Sequence, residues 1–270
     1  MLETLSYSFI QNAIIAAVLV SIITGIIGSL VVVNKMVFLS GGIAHSAYGG
    51  IGLAIFFGLP MLLCTSLFCV FVTIIIALAS YKRREHLDIL IGLTWALGMS
   101  LGIILVDLTP GYQSDLMSYL FGSLLAVTTN DILYMSILLA SIIGIVFTFY
   151  REILSVSYDT EYATLRGVKT RLFYTIILVL SSLTIVVSIK VVGLILVIAL
   201  LTIPIYVAGF FSKSLFSMMV SAALLSMFFS TIGLFLSYNF DLSSGPSIII
   251  VSSVFALLAF LIKNLKEYIQ

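Results

Sequence analysis

The sequence predicts an all-α integral membrane protein of about nine transmembrane helices, and three observations carry that prediction. Hydrophobic residues make up 62% of the 270 and charged ones only 9%, against about 25% charged in an ordinary soluble domain, so lipid is the solvent that fits. The few charges leave apolar runs between them of the length a bilayer demands, roughly 20 residues of helix for a core of about 30 Å. Lysine and arginine also alternate between two sides of those runs, which the positive-inside rule requires of a multi-pass protein.

Each span is read from a gap between charges. Charge-free runs cover 4–34, 36–81, 89–106, 116–130, 132–150, 172–189, 191–212, 214–240 and 242–262. The second is long enough for two helices, and Gly58-Leu59-Pro60 divides it, since glycine and proline suit a turn and proline tolerates the first turn of the next helix. The run after Asp115 is short, holds Gly122 and ends in Val127-Thr128-Thr129-Asn130. A re-entrant or half-depth helix at 115–127 is expected there, which leaves nine crossings. The start Met1-Leu2-Glu3 is acidic, unlike a cleaved signal peptide, so the first run is expected to be retained as a span.

With nine crossings, Lys35, Lys82-Arg83-Arg84, the 151–171 loop, Lys213, Lys263 and Lys266 fall on one side, and Lys190 is the only basic residue on the other. The amino terminus is then outside and the carboxyl terminus cytoplasmic, in a multi-pass protein of the cell membrane.

Several function classes are excluded by what is missing. A net charge of +1 offers no basic field for nucleic acid. Cys64 and Cys69 are five apart in an apolar stretch, which is neither a disulfide framework nor a CxxC motif, and they read as packing residues. Gly167-Val168-Lys169-Thr170 lacks the adjacent Gly-Lys and the upstream glycine of a phosphate-binding loop, and no HExxH motif occurs. Catalysis is therefore not expected. Asp88, Asp107, Asp115, Asp131 and Asp241 all border loops, so no carboxylate sits at mid-membrane to couple transport to protons or ions.

One titratable group does lie well inside a span, His45, in a segment rich in small residues. The helical period puts Gly41, His45 and Gly49 near one face, where a neighbouring backbone can approach. Two readings stand at this point: an imidazole hydrogen-bonded across a close helix contact, or a neutral metal ligand beside a path lined by small residues. In the inside loop, Asp159 is suited to cap a short helix, Glu161 to its first turn and Gly167 to its end. Such a loop is either a solvated connector or a docking element for a cytoplasmic motor.

Several segments in the same order resemble the permease subunits of the zinc/manganese/iron ABC transporter family. They are Met36-Val37-Phe38-Leu39-Ser40-Gly41-Gly42-Ile43-Ala44-His45, DLMSYLFGSLLAV at 115–127, DTEYATLRG at 159–167, VGLILVIALLTIP at 192–204 and DLSSGPS at 241–247. The resemblance covers most of the chain and implies one transmembrane permease domain over 1–270, with a cytoplasmic coupling loop at 151–171. It implies a second permease copy, an extracytoplasmic metal-binding protein, and a cytoplasmic ABC ATPase docked through Asp159, Glu161, Tyr162, Ala163 and Gly167. No covalent cofactor is implied, and ATP acts only through the partner subunit.

The transported ion implied is a divalent metal, with zinc ahead of manganese or iron; a metal chelate is the alternative cargo, and a non-transporting scaffold the alternative class. His45 becomes a transient metal ligand, Gly41 and Gly49 give room beside it, and Gly193 and Pro204 shape a neighbouring helix. Family members often carry an aspartate one turn before the histidine. Here that position is Gly41, so the ligand pair is incomplete.

Overall fold

A computed structural model describes residues 8–109, 122 and 127–269. Among the described residues all regular structure is helical. In chain order come α1 (Ser8–Val33), α2 (Val37–Phe57), α3 (Met61–Ser80), a 3₁₀ turn (Arg84–His86), α4 (Leu87–Asp107), α5 (Thr129–Thr148), α6 (Tyr150–Tyr158) and α7 (Thr160–Leu165). They are followed by α8 (Thr170–Val192), α9 (Leu194–Leu200), α10 (Ile203–Gly209), α11 (Leu215–Phe240) and α12 (Ser244–Ile269). The expected division at Gly58 is present: Gly58 takes φ 64° after α2, and Pro60 precedes α3.

Seven helices, α1, α3, α4, α5, α8, α11 and α12, are long and apolar enough to cross a membrane. The other two expected crossings differ in instructive ways. α2 has 21 residues but is diluted by glycine, serine, His45 and Tyr48. Its neighbours bury most of it, so it needs little affinity for lipid. The 191–212 crossing is not one rod but α9 and α10, interrupted at Leu201 and Thr202. Pro204 has no N–H to continue the ladder and disfavours helix at the residue before it, and it sits in the first turn of α10, where it is tolerated.

The core gathers around α8, buried along most of its length, with α1 and α2 beside it. Large apolar side chains such as Phe71, Leu97, Leu224 and Phe147, the last 82% exposed, face outward. A soluble fold would not tolerate such a belt, whereas lipid does.

Contacts between helix ends fix the directions of the rods. Asn34 Nδ2 donates to Ser157 Oγ at 2.9 Å, Ser80 Oγ lies 2.9 Å from Tyr174 Oη, and Tyr81 Oη lies 2.6 Å from Thr170 Oγ1. The end of α1, the end of α3 and the start of α8 therefore share one end of the bundle. At the opposite end Asn12 Nδ2 donates to the Val127 carbonyl at 3.4 Å, so the start of α1 and the start of α5 meet there. α2 and α4 run parallel, because Gly42 faces Ile91 while Gly52 faces Gly102. The end of α4 and the start of α5 consequently lie at the same end. The expected half-helix at 115–127, apart from Gly122 and Val127, lies outside the described residues.

Candidate metal path and coupling helix

The α2–α4 contact positions His45. Gly98 and Gly102 let the two backbones touch: a Cβ on Gly98 would stand 2.6 Å from Ser46 Cα, and one on Gly102 would stand 2.3 Å from the Tyr48 carbonyl oxygen. That approach lays the His45 imidazole on the indole of Trp95, one turn before Gly98, with ring centroids 4.0 Å apart and planes at 22°. Trp95 Nε1–H in turn donates to Met99 Sδ at 3.1 Å, and the Phe38 ring lies 6.1 Å from the indole.

His45 Nδ1 lies 2.8 Å from the Gly41 carbonyl oxygen. A carbonyl only accepts, so Nδ1 carries the proton. In the neutral ring Nε2 then keeps its lone pair, the arrangement in which histidine binds metals. His45 is half-buried, as is Tyr48, while the rest of the middle of α2 is buried. The ring-bearing polar side chains of α2's centre, His45 and Tyr48, thus lie on its less covered stripe, whereas Ser46 between them is buried.

The small residues beside His45 have separate positions. Gly41 is buried under α9, where a Cβ would meet only Ile198 Cδ1, at an ordinary 3.7 Å, so space does not account for the missing carboxylate. Gly49 is a packing residue: a Cβ there would stand 2.6 Å from the Phe68 ring and 3.2 Å from the Gly98 carbonyl oxygen. Gly193 joins α8 to α9 at φ 83° and ψ 162°, a conformation that side chains other than glycine's essentially do not adopt. Pro204 is buried at the start of α10. Among the described residues no three His, Cys, Asp or Glu side chains come together.

Charge alone could not pair two residues 59 positions apart, yet Lys190 Nζ donates to Asp131 Oδ1. The second carboxylate oxygen accepts from Thr128 N at 3.0 Å and from Thr128 Oγ1 at 2.7 Å, while Thr128 Oγ1 accepts from Asp131 N, a capping box at the start of α5. Lys190 and a span-border acid, each visible in the sequence, therefore meet.

At the other end of the bundle Asp159 caps α7, its Oδ1 accepting from Tyr162 N at 2.9 Å. Gly167 at φ 78° ends the turn, with Val168 N donating to the Ala163 carbonyl at 3.0 Å. Ala163 is fully buried; Glu161 and Tyr162 are exposed, and the Arg166 guanidinium lies 4.9 Å from the Tyr162 ring centroid. Two exposed apolar side chains went unnoticed in the sequence: Tyr158 and Leu165, the latter 88% exposed. Arg84 Nη2 donates to Thr160 Oγ1 at 3.0 Å, and Thr164 Oγ1 lies 3.3 Å from Thr170 Oγ1, so α7 is tied to the 3₁₀ turn before α4 and to the start of α8.

Residues 6–263 match the ABC 3 transport family. The chain belongs to that family. An uncharacterized membrane protein of Synechocystis sp. is 45% identical over 94% of this chain and 90% of its own. The manganese transport system membrane protein MntC of Listeria monocytogenes is 32% identical over 95% of this chain and 91% of its own. Among solved structures, PsaBC from Streptococcus pneumoniae in complex with Fab superposes with a TM-score of 0.84 at 29% identity, covering 96% of this chain and 94% of that one. As an ABC 3 transport family member, this is a multi-pass membrane permease rather than an enzyme.

Proposed function

We propose that the chain is the membrane-spanning subunit of an ATP-driven importer for a divalent transition metal, with manganese placed first. His45 carries this reading: an imidazole inside the bundle, held by its Nδ1–H so that the Nε2 lone pair is left for a ligand. Imidazole chemistry by itself leans toward zinc. The Listeria relative is named for manganese transport, and that is the support for putting manganese ahead of zinc and iron.

Nine crossings with the amino terminus outside complete the reading. The clustering of Asn34, Tyr81, Arg84, Ser157 and Thr170 at one end and Asn12, Val127 and Lys190 at the other supports it. α7 would then lie in the cytoplasm, where Tyr158, Glu161, Tyr162 and Leu165 offer an ATPase subunit an apolar contact with a charged edge. ATP hydrolysis belongs to that subunit. An extracytoplasmic binding protein delivers the metal, and a second copy of the permease encloses the path.

Alternating access requires two arrangements whose balance ATP shifts. α7 is the element through which the motor's movement reaches the spans, by way of Arg84 and Thr170. The test is the reconstituted complex with its ATPase and binding protein, assayed for ATP hydrolysis with manganese, zinc and iron. Stimulation by manganese at the lowest concentration is expected. Stimulation only by a metal chelate, or by no metal, would overturn the reading.

A further inference from the structure

We propose that Trp95 is the positioning residue for His45, holding its imidazole in the orientation that receives the metal. The inference rests on the reading of His45 as a ligand and adds a residue that ligand chemistry alone does not identify. An imidazole binds a metal in the plane of its ring, through the lone pair of an unprotonated nitrogen. A neighbour that fixes the ring must therefore grip its face and leave its edge clear.

The indole of Trp95 does this, lying against the imidazole face at 4.0 Å and 22°. The Gly41 carbonyl takes Nδ1, so both ring rotation and tautomer are set, and Nε2 is the remaining polar edge atom. The indole is itself restrained by the Nε1–H bond to Met99 Sδ and by the Phe38 ring. Gly98, one turn further along α4, brings the α4 backbone close enough for the stack to form. Outer groups that hydrogen-bond a metal-binding histidine contribute a factor of about 10 to 100 in metal affinity, and a face-on support of the same ring is expected at the lower end of that range.

Trp95 is the sole tryptophan of the chain, so its emission reports on the stack directly. The purified full-length permease is titrated with manganese chloride, calcium chloride serving as control, while Trp95 fluorescence is recorded. In parallel, ATP hydrolysis by the reconstituted complex is measured against manganese concentration for wild type, Trp95→Phe, Trp95→Ala and His45→Ala.

Manganese, and not calcium, is expected to quench the wild-type emission, and His45→Ala to abolish the quenching. Trp95→Ala is expected to raise the KM for manganese about 10-fold with kcat nearly unchanged, and Trp95→Phe, which retains an aromatic face, to restore most of the wild-type KM. If Trp95→Ala keeps the wild-type KM while His45→Ala loses manganese-stimulated ATP hydrolysis, the positioning role is overturned and the ligand reading survives. If His45→Ala keeps the wild-type stimulation, the ligand reading falls and this inference with it. A fall in kcat with unchanged KM in both Trp95 variants would assign Trp95 to helix packing alone.

Discussion

Lys190 on α8 donates to Asp131 on α5, and the pair joins the end of one helix to the start of another that no nearby sequence connects. Asp131 is 5% exposed and has both oxygens occupied, whereas the Lys190 side chain is about one third exposed. Removing one member leaves the other charge without its partner, a loss of about 3 to 5 kcal/mol for a fully buried pair, and less here because water reaches Lys190. Lys190→Met is expected to lower stability by about 2 kcal/mol, and Asp131→Asn/Lys190→Met by less than that. Thermal unfolding of the purified protein in detergent checks the order. A double variant less stable than Lys190→Met would contradict it.

Leu165 is exposed on α7 beyond the apolar spans, where none of the described residues covers it. Leu165→Asp and the pair Glu161→Ala/Tyr162→Ala are expected to leave unfolding temperature unchanged while reducing metal-stimulated ATP hydrolysis at least 10-fold, as loss of a central anchor in an interface does. Intact coupling in both variants would remove α7 from the docking role.

Gly102 faces backbone, not the tip of a flexible side chain. Gly102→Ala is therefore expected to separate α2 from α4 and to cost about 1 to 3 kcal/mol. Gly92, whose Cβ would meet nothing within 4 Å, is the control: Gly92→Ala is expected to be neutral or slightly stabilising, since alanine favours helix by about 1 kcal/mol over glycine. Paired unfolding curves decide between them.

Gly41 has space for a first side-chain carbon. Gly41→Asp places a carboxylate one turn before His45, and oxygen ligands favour manganese over zinc. The manganese concentration for half-maximal ATP stimulation is expected to fall relative to that for zinc. An unchanged ratio would mean that position 41 does not face the metal.

What could be read in the sequence was local. Gly58 with Pro60 announced the α2–α3 turn, and Asp159 with Gly167 announced the capped helix between them, because caps and turns act over a few residues. The break at Leu201 and Thr202 was half visible in Pro204; gaps between charges locate apolar runs but do not register whether the backbone inside a run is continuous. The partners of His45 and of Asp131 were not legible. Trp95 lies on another helix, brought in by glycines whose value appears only when two helices are set side by side, and Lys190 meets Asp131 only because the ends of α5 and α8 converge.

Gly193 and the Leu201–Thr202 break leave α9 as a seven-residue rod between two points where the helical ladder is already interrupted. This short rod carries Ile198, which lies over Gly41 beside the histidine. The rod is joined to its neighbours by few ladder bonds, among them Val197 N to the Gly193 carbonyl at 3.1 Å and Thr202 N to the Ala199 carbonyl at 3.2 Å. A continuous helix would have to forfeit backbone bonds in a medium that offers no replacements. The chain has placed its discontinuity beside Gly41, one turn from His45, at joints where the backbone already departs from the helical ladder.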